Sequence, residues 1–240
     1  MTTLVVGASG ATGRLLVEQL LAKKENVRVI VRSINDLPLT LKKNCQLLIT
    51  ESSLLDMTDE ALSQQVQGCS AVISCLGHNL TLNGMFGHPK RLVTDAVKRL
   101  THAIVESMPV IPVKFILMNT TGNQNVQAGE RISMAQSIVL GLIRLLLPPH
   151  LDNELAATYL QSSFGENQKL IEWVTVRPDS LIDQELVTEY DVHASPIRSA
   201  IFDAGNTSRI NVAHFMSELI ASGEIWGNWK FQMPVIYNAL

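Results

Sequence analysis

Residues 4–14 read LVVGASGATGR, and this stretch decides the fold. An apolar, β-branched run ends at Gly7, two more glycines follow at Gly10 and Gly13, and a helical pattern starts near Arg14. A strand that passes through such a turn into a helix directs free N–H groups and the positive end of the helix dipole at the turn. The stretch therefore predicts a binding site for the phosphates of a dinucleotide.

Each glycine of this turn has its own predicted task. Gly7 permits a tight exit from the strand, Gly10 lets the backbone approach a pyrophosphate, and Gly13 lets the helix lie close to the strand. The alternative is a turn in which the glycines are merely structural. The predicted cofactor contacts on the turn are Gly7, Ser9, Gly10, Ala11, Thr12, Gly13 and Arg14.

Apolar runs alternate with helical patterns along the rest of the chain, which is typical of a parallel sheet covered by helices on both faces. We expect one α/β domain over residues 1–240 with a doubly wound parallel sheet of the Rossmann type, in which residues 124–164 and 179–240 build the substrate side. The predicted strands are residues 3–6, 27–31, 46–49, 71–76, 114–118, 172–176 and a late one at 208–212. The predicted helices are residues 14–24, 59–66, a long one after Pro89, and 213–222.

The composition favours an ordinary globular protein. Of the 240 residues, 46% are hydrophobic and 17% charged, and the net charge of −3 argues against nucleic acid or an anionic membrane as a partner. The apolar residues 138–147 contain Arg144 and fall short of the roughly 20 residues of a membrane span, so we expect a helix packed on protein. The three cysteines, the absence of metal-ligand spacing and the N-terminus predict reduced thiols, no metal site and a cytoplasmic location.

The end of the second strand bears on which dinucleotide is bound. An NAD site usually has Asp or Glu there for the ribose 2′-hydroxyl, whereas Arg can receive the 2′-phosphate of NADP. This chain has Arg32-Ser33, and no carboxylate follows before Asp36. The sequence thus predicts NADP(H) rather than NAD(H), with a solvated strand-end arginine as the alternative.

The whole pattern resembles the extended and atypical short-chain dehydrogenase/reductases. Within these, GASGATGR most resembles the NAD(P)H-binding group that includes NmrA-like proteins and flavin reductases of the biliverdin-IXβ type. The resemblance covers residues 3–183 and continues weakly through 208–222. Besides the turn, it rests on residues 31–32, 75–77, 119–122 and 176–178, which follow the predicted strands in order. It implies further cofactor contacts at Arg32, Ser33, Leu76, Gly77, Asn119, Thr120, Arg177 and Pro178.

The sequence does not contain the usual catalytic pair of a short-chain reductase. The Tyr and Lys, four residues apart, that serve typical short-chain reductases are absent. The candidates that remain are Thr120, His78 and Tyr159: Thr120 either orients a substrate carbonyl or satisfies its own loop, and His78 either faces the nicotinamide or lies on a surface loop. Glu154, Glu166 and Glu172 are interpreted as a solvated face.

The leading hypothesis is an NADP(H)-dependent oxidoreductase that acts on a small carbonyl, flavin-like or quinone-like acceptor. Where the resembling biliverdin-reductase type has a histidine after the sixth strand, this chain has Asp179-Ser180, which argues against a tetrapyrrole. One rival is an NmrA-like redox sensor that does no chemistry and signals to a partner protein, and a homodimer is also compatible. A second rival, a sugar-nucleotide epimerase, is weakened by the missing Tyr/Lys pair.

Overall fold

Strands and helices alternate around one eight-stranded sheet in the computed structural model, which describes residues 1–78, 81, 87–165 and 168–239. The strands are β1 (Thr2–Val6), β2 (Asn26–Val31), β3 (Leu47–Glu51), β4 (Ala71–Ser74), β5 (Val113–Met118), β6 (Ile171–Pro178), β7 (Ser180–Ile182), β8 (Tyr190–His193), β9 (Asn206–Ser208) and β10 (Val235–Asn238). The helices are α1 (Ala11–Ala22), α2 (Leu39–Lys42), α3 (Asp59–Val66), α4 (Leu92–Glu106), α5 (Met134–Leu146), α6 (Pro148–Ser163), α7 (Arg209–Ala221) and α8 (Gly223–Trp229).

The strand order is β3-β2-β1-β4-β5-β6-β10-β8, and every neighbouring pair is parallel except β10 with β8. The order 3-2-1-4-5-6 is that of the doubly wound nucleotide-binding fold, so the predicted fold class is confirmed. Strands β7 and β9 form a separate parallel pair beyond the end of β6.

The two faces of the sheet are covered by different helices. On one face α1 and α7 pack through side chains such as Leu16 and Phe215. On the other, α3, α4 and α6 pack through side chains such as Leu62, Leu100 and Leu160. The apolar patterns of the first helix and of the helix after Pro89 therefore do form core faces, as β-strands sandwiched between helices require.

The last third of the chain departs from the sequence prediction. The predicted strand at residues 208–212 is wrong: Ser208 ends β9 and caps α7, where its Oγ accepts from Asn211 N at 3.2 Å. A serine hydroxyl that satisfies a free N–H starts a helix even when β-branched residues follow. The strand β10, which extends the sheet beyond β6, has no counterpart in the prediction.

Helix α5 was expected to pack on protein, and it does so along one stripe only. Gln136 and Leu140 are buried, whereas Met134, Ile138, Leu142, Leu145 and Leu146 are exposed. Within the described residues no single helix has the length and apolarity to cross a bilayer; α5 and α6 meet that test only as a pair, bent by 106°.

Candidate cofactor cleft and acceptor cavity

A cleft of about 480 Å³ opens at the carboxyl ends of β1, β2, β3 and β4. Open α/β sheets bind their ligands at this edge, where loops from neighbouring strands diverge. The lining residues are Val6, Gly7, Ser9, Gly10, Ile30, Val31, Arg32, Ser52, Ser53, Leu54, Leu55, Asp56, Cys75, Leu76, Gly77, His88, Pro89 and Leu92. The glycine turn and the end of β2 thus meet in one cleft.

The turn has the geometry that its glycines predict. Gly7 has a φ of 77°, and a Cβ there would lie 2.6 Å from the backbone of Cys75. A Cβ on Gly13 would lie 2.1 Å from Gly7 O, so α1 packs against the turn at a distance that no other residue permits. Gly10 is exposed in the cleft, where a Cβ would meet only Gly7 O, at 3.2 Å. The turn therefore forms an open cradle that a side chain at Gly10 would fill.

The end of β2 carries charges of both signs. Arg32 lines the cleft, but so does Asp56, from the short 3₁₀ turn after β3. Glu51, opposite Val31 in the register of β3 and β2, accepts from Ile34 N at 2.9 Å. Along the chain no carboxylate follows Arg32 before Asp36, but parallel pairing brings Glu51, at the end of β3, beside the end of β2.

Predicted contacts beyond β4 are divided between the cleft and the core. Leu76 and Gly77 line the cleft, and burial raises the pKa of the neighbouring Cys75 thiol to about 12. His78 does not lie on the surface: its side chain is 5% exposed and donates from Nε2 to Asp152 Oδ2 at 2.8 Å. That carboxylate also accepts from Val93 N and Thr94 N, at the start of α4. The surface-loop interpretation is wrong, because the fold supplies a buried anion beside the ring.

The end of β5 forms one wall of a second cavity, of about 220 Å³. Thr120 lies in this wall, and its Oγ1 accepts from Gly122 N at 3.2 Å, so it both satisfies its loop and faces the cavity. Asn119 is buried, and its amide donates to Asn153 O, which fixes the loop on α6. The cavity is lined by Thr120, Thr121, Gly122, Leu140, Ile143, His150, Asp179, Ser180, Ala200 and Ile201.

Two of the predicted cofactor contacts are buried and make structural interactions instead. Arg177 is fully buried, and its guanidinium donates to both carboxylate oxygens of Glu130 and to three backbone carbonyls. A guanidinium with these partners holds the end of β6 in place, so its predicted cofactor contact is corrected. Pro178 is also interior to the sheet, where its carbonyl accepts from Thr121 N.

Tyr159 also lies away from both cavities. Its hydroxyl is 3.4 Å from Thr101 Oγ1 at the contact of α6 with α4, and its ring stacks edge-on against Phe164. The ring is half-buried, with Lys98 Nζ 5.5 Å from its centroid, and it lines neither the cleft nor the cavity at the end of β5. Its proposed catalytic role is therefore corrected in favour of packing. Arg14 is exposed on α1 and does not line the described cleft.

The glutamates interpreted as a solvated face are paired instead. Glu154 binds Arg144 through both carboxylate oxygens, at 2.7 and 2.8 Å. Glu172 accepts from Trp226 Nε1 and Lys230 Nζ. Glu166 lies outside the described residues.

His150, which was not among the sequence candidates, lines the cavity at the end of β5, hereafter the acceptor cavity. It lies in the first turn of α6, and Glu154 follows four residues later on the same helical face. The spacing of four residues is visible in the sequence, but only the packing of α6 against the end of β5 places His150 in the same cavity as Thr120.

These features can be set beside known proteins. A family model described as NAD(P)H-binding matches residues 7–222, which include the glycine turn and the ends of β2, β4, β5 and β6. The chain belongs to this NAD(P)H-binding family. No curated protein matches it.

Several solved structures share this fold at low sequence identity. The oxidoreductase ylbE from Lactococcus lactis is 18% identical, with a TM-score of 0.69, and the match covers 100% of this chain and 91% of that one. A Rossmann-fold NAD(P)-binding family protein from Shigella flexneri is 18% identical with a TM-score of 0.65, covering 99% and 93%. A short-chain dehydrogenase/reductase of the wide type from Veillonella parvula, in complex with NADP, is 15% identical with a TM-score of 0.69, covering 99% and 94%.

The residues of the cleft fit such a cofactor. The open cradle at Gly10 accommodates a pyrophosphate, because a Cβ there would meet only Gly7 O and because α1, whose first N–H groups favour anions, begins at the next residue. Arg32 lines the cleft at the end of β2, the position from which Rossmann-type proteins contact the adenosine ribose.

Proposed function

We propose that this chain is an NADP(H)-dependent oxidoreductase of the atypical short-chain type that reduces a small carbonyl, flavin-like or quinone-like acceptor. One observation carries the proposal: the same sheet edge holds the glycine-turn cleft and, at the end of β5, a separate cavity with the Thr120 hydroxyl in its wall. Hydride transfer requires a cofactor site and an acceptor site at the same edge of the fold, and we expect these two openings to serve as that pair.

The chain's own residues have distinct tasks in this proposal. The backbone of the turn at residues 7–13 holds the pyrophosphate, and Arg32 pairs with the 2′-phosphate. The nicotinamide, when bound, supplies the hydride. The Thr120 hydroxyl, whose oxygen accepts from Gly122 N, donates its proton in a hydrogen bond to the acceptor oxygen and so orients it.

The test is oxidation of NADPH by the purified protein in the presence of a panel of aldehydes, quinones and flavins. With any acceptor that is reduced, Thr120→Val should lower kcat by about tenfold to a hundredfold, the worth of one hydrogen bond made in the transition state. NADPH affinity, measured by fluorescence titration, should stay within about twofold of the wild-type value, because Thr120 lines the acceptor cavity and not the described cleft.

Two results would overturn the proposal. Tight NADPH binding without reduction of any acceptor in the panel would favour the NmrA-like sensor. A Thr120→Val variant with the wild-type rate would leave the reaction without the proposed orienting group.

A further inference from the structure

His150 is held in the acceptor cavity by its surroundings. It lies in the first turn of α6, with a side chain 12% exposed, and its ring packs against the loop at Gly122. Nε2 is buried and has no hydrogen-bond partner among the described residues; the nearest anion is Glu154 Oε1, 3.4 Å away. One edge of the ring thus faces a carboxylate, and the ring also lines the cavity.

The carboxylate behind the ring is kept ionised. Burial opposes ionisation of Glu154, but the Arg144 guanidinium and the nearby His150 ring outweigh it and hold the pKa of this carboxyl below its usual range. Arg144 fixes both carboxylate oxygens, so the anion has one orientation. A fixed carboxylate beside one ring nitrogen orients an imidazole and stabilises positive charge on it.

The edge of the ring that carries Cε1 and Nδ1 lies close to residue 122, as does the Thr120 hydroxyl. A Cβ built on Gly122 would lie 3.0 Å from His150 Cε1, 3.6 Å from His150 Nδ1 and 3.6 Å from Thr120 Oγ1. Both side chains therefore border residue 122, and both line the same cavity. An acceptor oxygen bound in that cavity would be offered a hydroxyl and an imidazole, which is the pairing of an orienting group and a proton donor.

We propose that His150 is the proton donor of this site and that Glu154 is its positioning residue; the inference rests on the oxidoreductase function proposed above. As the dihydronicotinamide is oxidised, the acceptor carbonyl is reduced: its carbon gains the hydride and its C=O π bond breaks. Its oxygen then bonds to the proton released from His150, and the neutral imidazole regains a proton from solvent. Carbonyl substrates therefore depend on His150.

Neither of the other charged groups near the ring, Arg144 and Asp179, is placed to donate a proton to an acceptor in the cavity. Arg144 contacts Glu154 and not the cavity. Asp179 lines the cavity, but its carboxylate accepts from Thr121 Oγ1, Ser180 N and Gly205 N and is thereby held in place as an acceptor. Acceptors that need no proton at the site, such as dichlorophenolindophenol, should be reduced without His150.

The experiment compares the wild type with His150→Asn, which keeps an amide near the Nδ1 position, and with His102→Gln, an exposed histidine on α4, as the matched control. The first readout is binding of isobutyramide, a carbonyl that is not reduced, to the NADPH-saturated protein by calorimetry. His150→Asn should weaken it by about tenfold. The second is turnover: carbonyl reduction should fall by about a hundredfold or more and dichlorophenolindophenol reduction by less than about threefold.

A second variant crowds the ring and keeps the imidazole. Gly122→Ala places a Cβ 3.0 Å from His150 Cε1, so the ring must shift, and it should weaken isobutyramide by about tenfold. NADPH affinity should stay at the wild-type value, because Gly122 lines the acceptor cavity and not the described cleft. This variant tests ligand binding in the acceptor cavity even if His150→Asn folds poorly.

The outcomes separate the two proposals. Isobutyramide affinity that is equal in wild type, His150→Asn and Gly122→Ala, or carbonyl turnover that survives in His150→Asn, overturns the role of His150 alone. Reduction of no acceptor by the wild type overturns the oxidoreductase function itself, and with it the proton transfer.

Discussion

His78 Nε2 donates to Asp152 Oδ2 across 2.8 Å, and this contact joins the loop after β4 to helix α6. The same carboxylate accepts from Val93 N and Thr94 N and so satisfies the first free N–H groups of α4. A buried anion at a helix N-terminus is stabilised by the helix dipole. One side chain thereby connects three elements behind the cofactor cleft.

Asp152→Ala should lower the free energy of unfolding by about 3–5 kcal/mol, because it removes a buried carboxylate that accepts from His78 Nε2 and from two N–H groups of α4. Asp152→Asn is the matched control: it keeps the volume and one acceptor oxygen and should lose less. Urea unfolding measures both. A loss below about 1 kcal/mol for the alanine variant would contradict the role given to this carboxylate.

Two glycines of one turn should respond differently to a side chain. Gly10→Val should fold with near wild-type stability and lose NADPH binding, because its side chain occupies the open cradle. Gly13→Ala should destabilise the protein itself, since its Cβ would lie 2.1 Å from Gly7 O. Thermal unfolding and titration calorimetry separate the two effects; a Gly10→Val protein that binds NADPH normally would rule out the turn as the phosphate site.

Arg32 should set the preference between cofactors. If it pairs with the 2′-phosphate, the wild type binds NADPH about tenfold to a hundredfold more tightly than NADH, and salt reduces the preference. Arg32→Asp should weaken NADPH and retain or improve NADH, because aspartate repels the phosphate and accepts from a ribose hydroxyl. Equal affinities in the wild type would show Arg32 to be a solvated strand-end residue.

Substitution of Glu51 should change NADPH affinity in the opposite direction to substitution of Arg32. Glu51 lies at the end of β3, beside Ile34, and contributes a negative charge near the end of β2. Glu51→Gln should therefore tighten NADPH by about twofold to fivefold and leave NADH nearly unchanged, since only NADPH carries the extra phosphate. The same calorimetric titrations measure it, and weaker NADPH binding in this variant would mean that Glu51 holds the turn at Ile34 in its binding form.

His214 should make stability depend on pH. Burial lowers its pKa below the usual 6.5, although Glu218 partly opposes this, and its Nδ1 lies 2.8 Å from the Tyr190 hydroxyl, whose own pKa burial raises to about 12. The fold therefore prefers the neutral ring, so this contribution to stability is present above the unfolded pKa and is lost as pH falls. Unfolding free energies measured from about pH 7 to 5 should decline more steeply in the wild type than in His214→Gln; parallel slopes would contradict it.

The sequence by itself determined the nucleotide-binding half of this protein. Residues 4–14 are local in the chain, and the conformations of Gly7 and Gly13 follow from the absence of a Cβ in a strand–turn–helix unit. The alternation of strands and helices then leaves few topologies, because parallel strands require right-handed crossovers. The family was accordingly evident from the residues of the turn.

The tertiary structure alone decided which side chains are available for chemistry. Arg177 lies near the end of a strand, as a cofactor ligand would, but its guanidinium is paired with Glu130, 47 residues away in the chain. Glu154 has the pattern of a solvated residue, but Arg144 and His150 approach it from a neighbouring helix and an adjacent turn. Burial and pairing depend on which distant segments meet, and a helical or strand pattern reports only one element's own period. For that reason the sequence indicated the cleft, and the packing of α5 and α6 against the end of β5 brought His150 to Thr120.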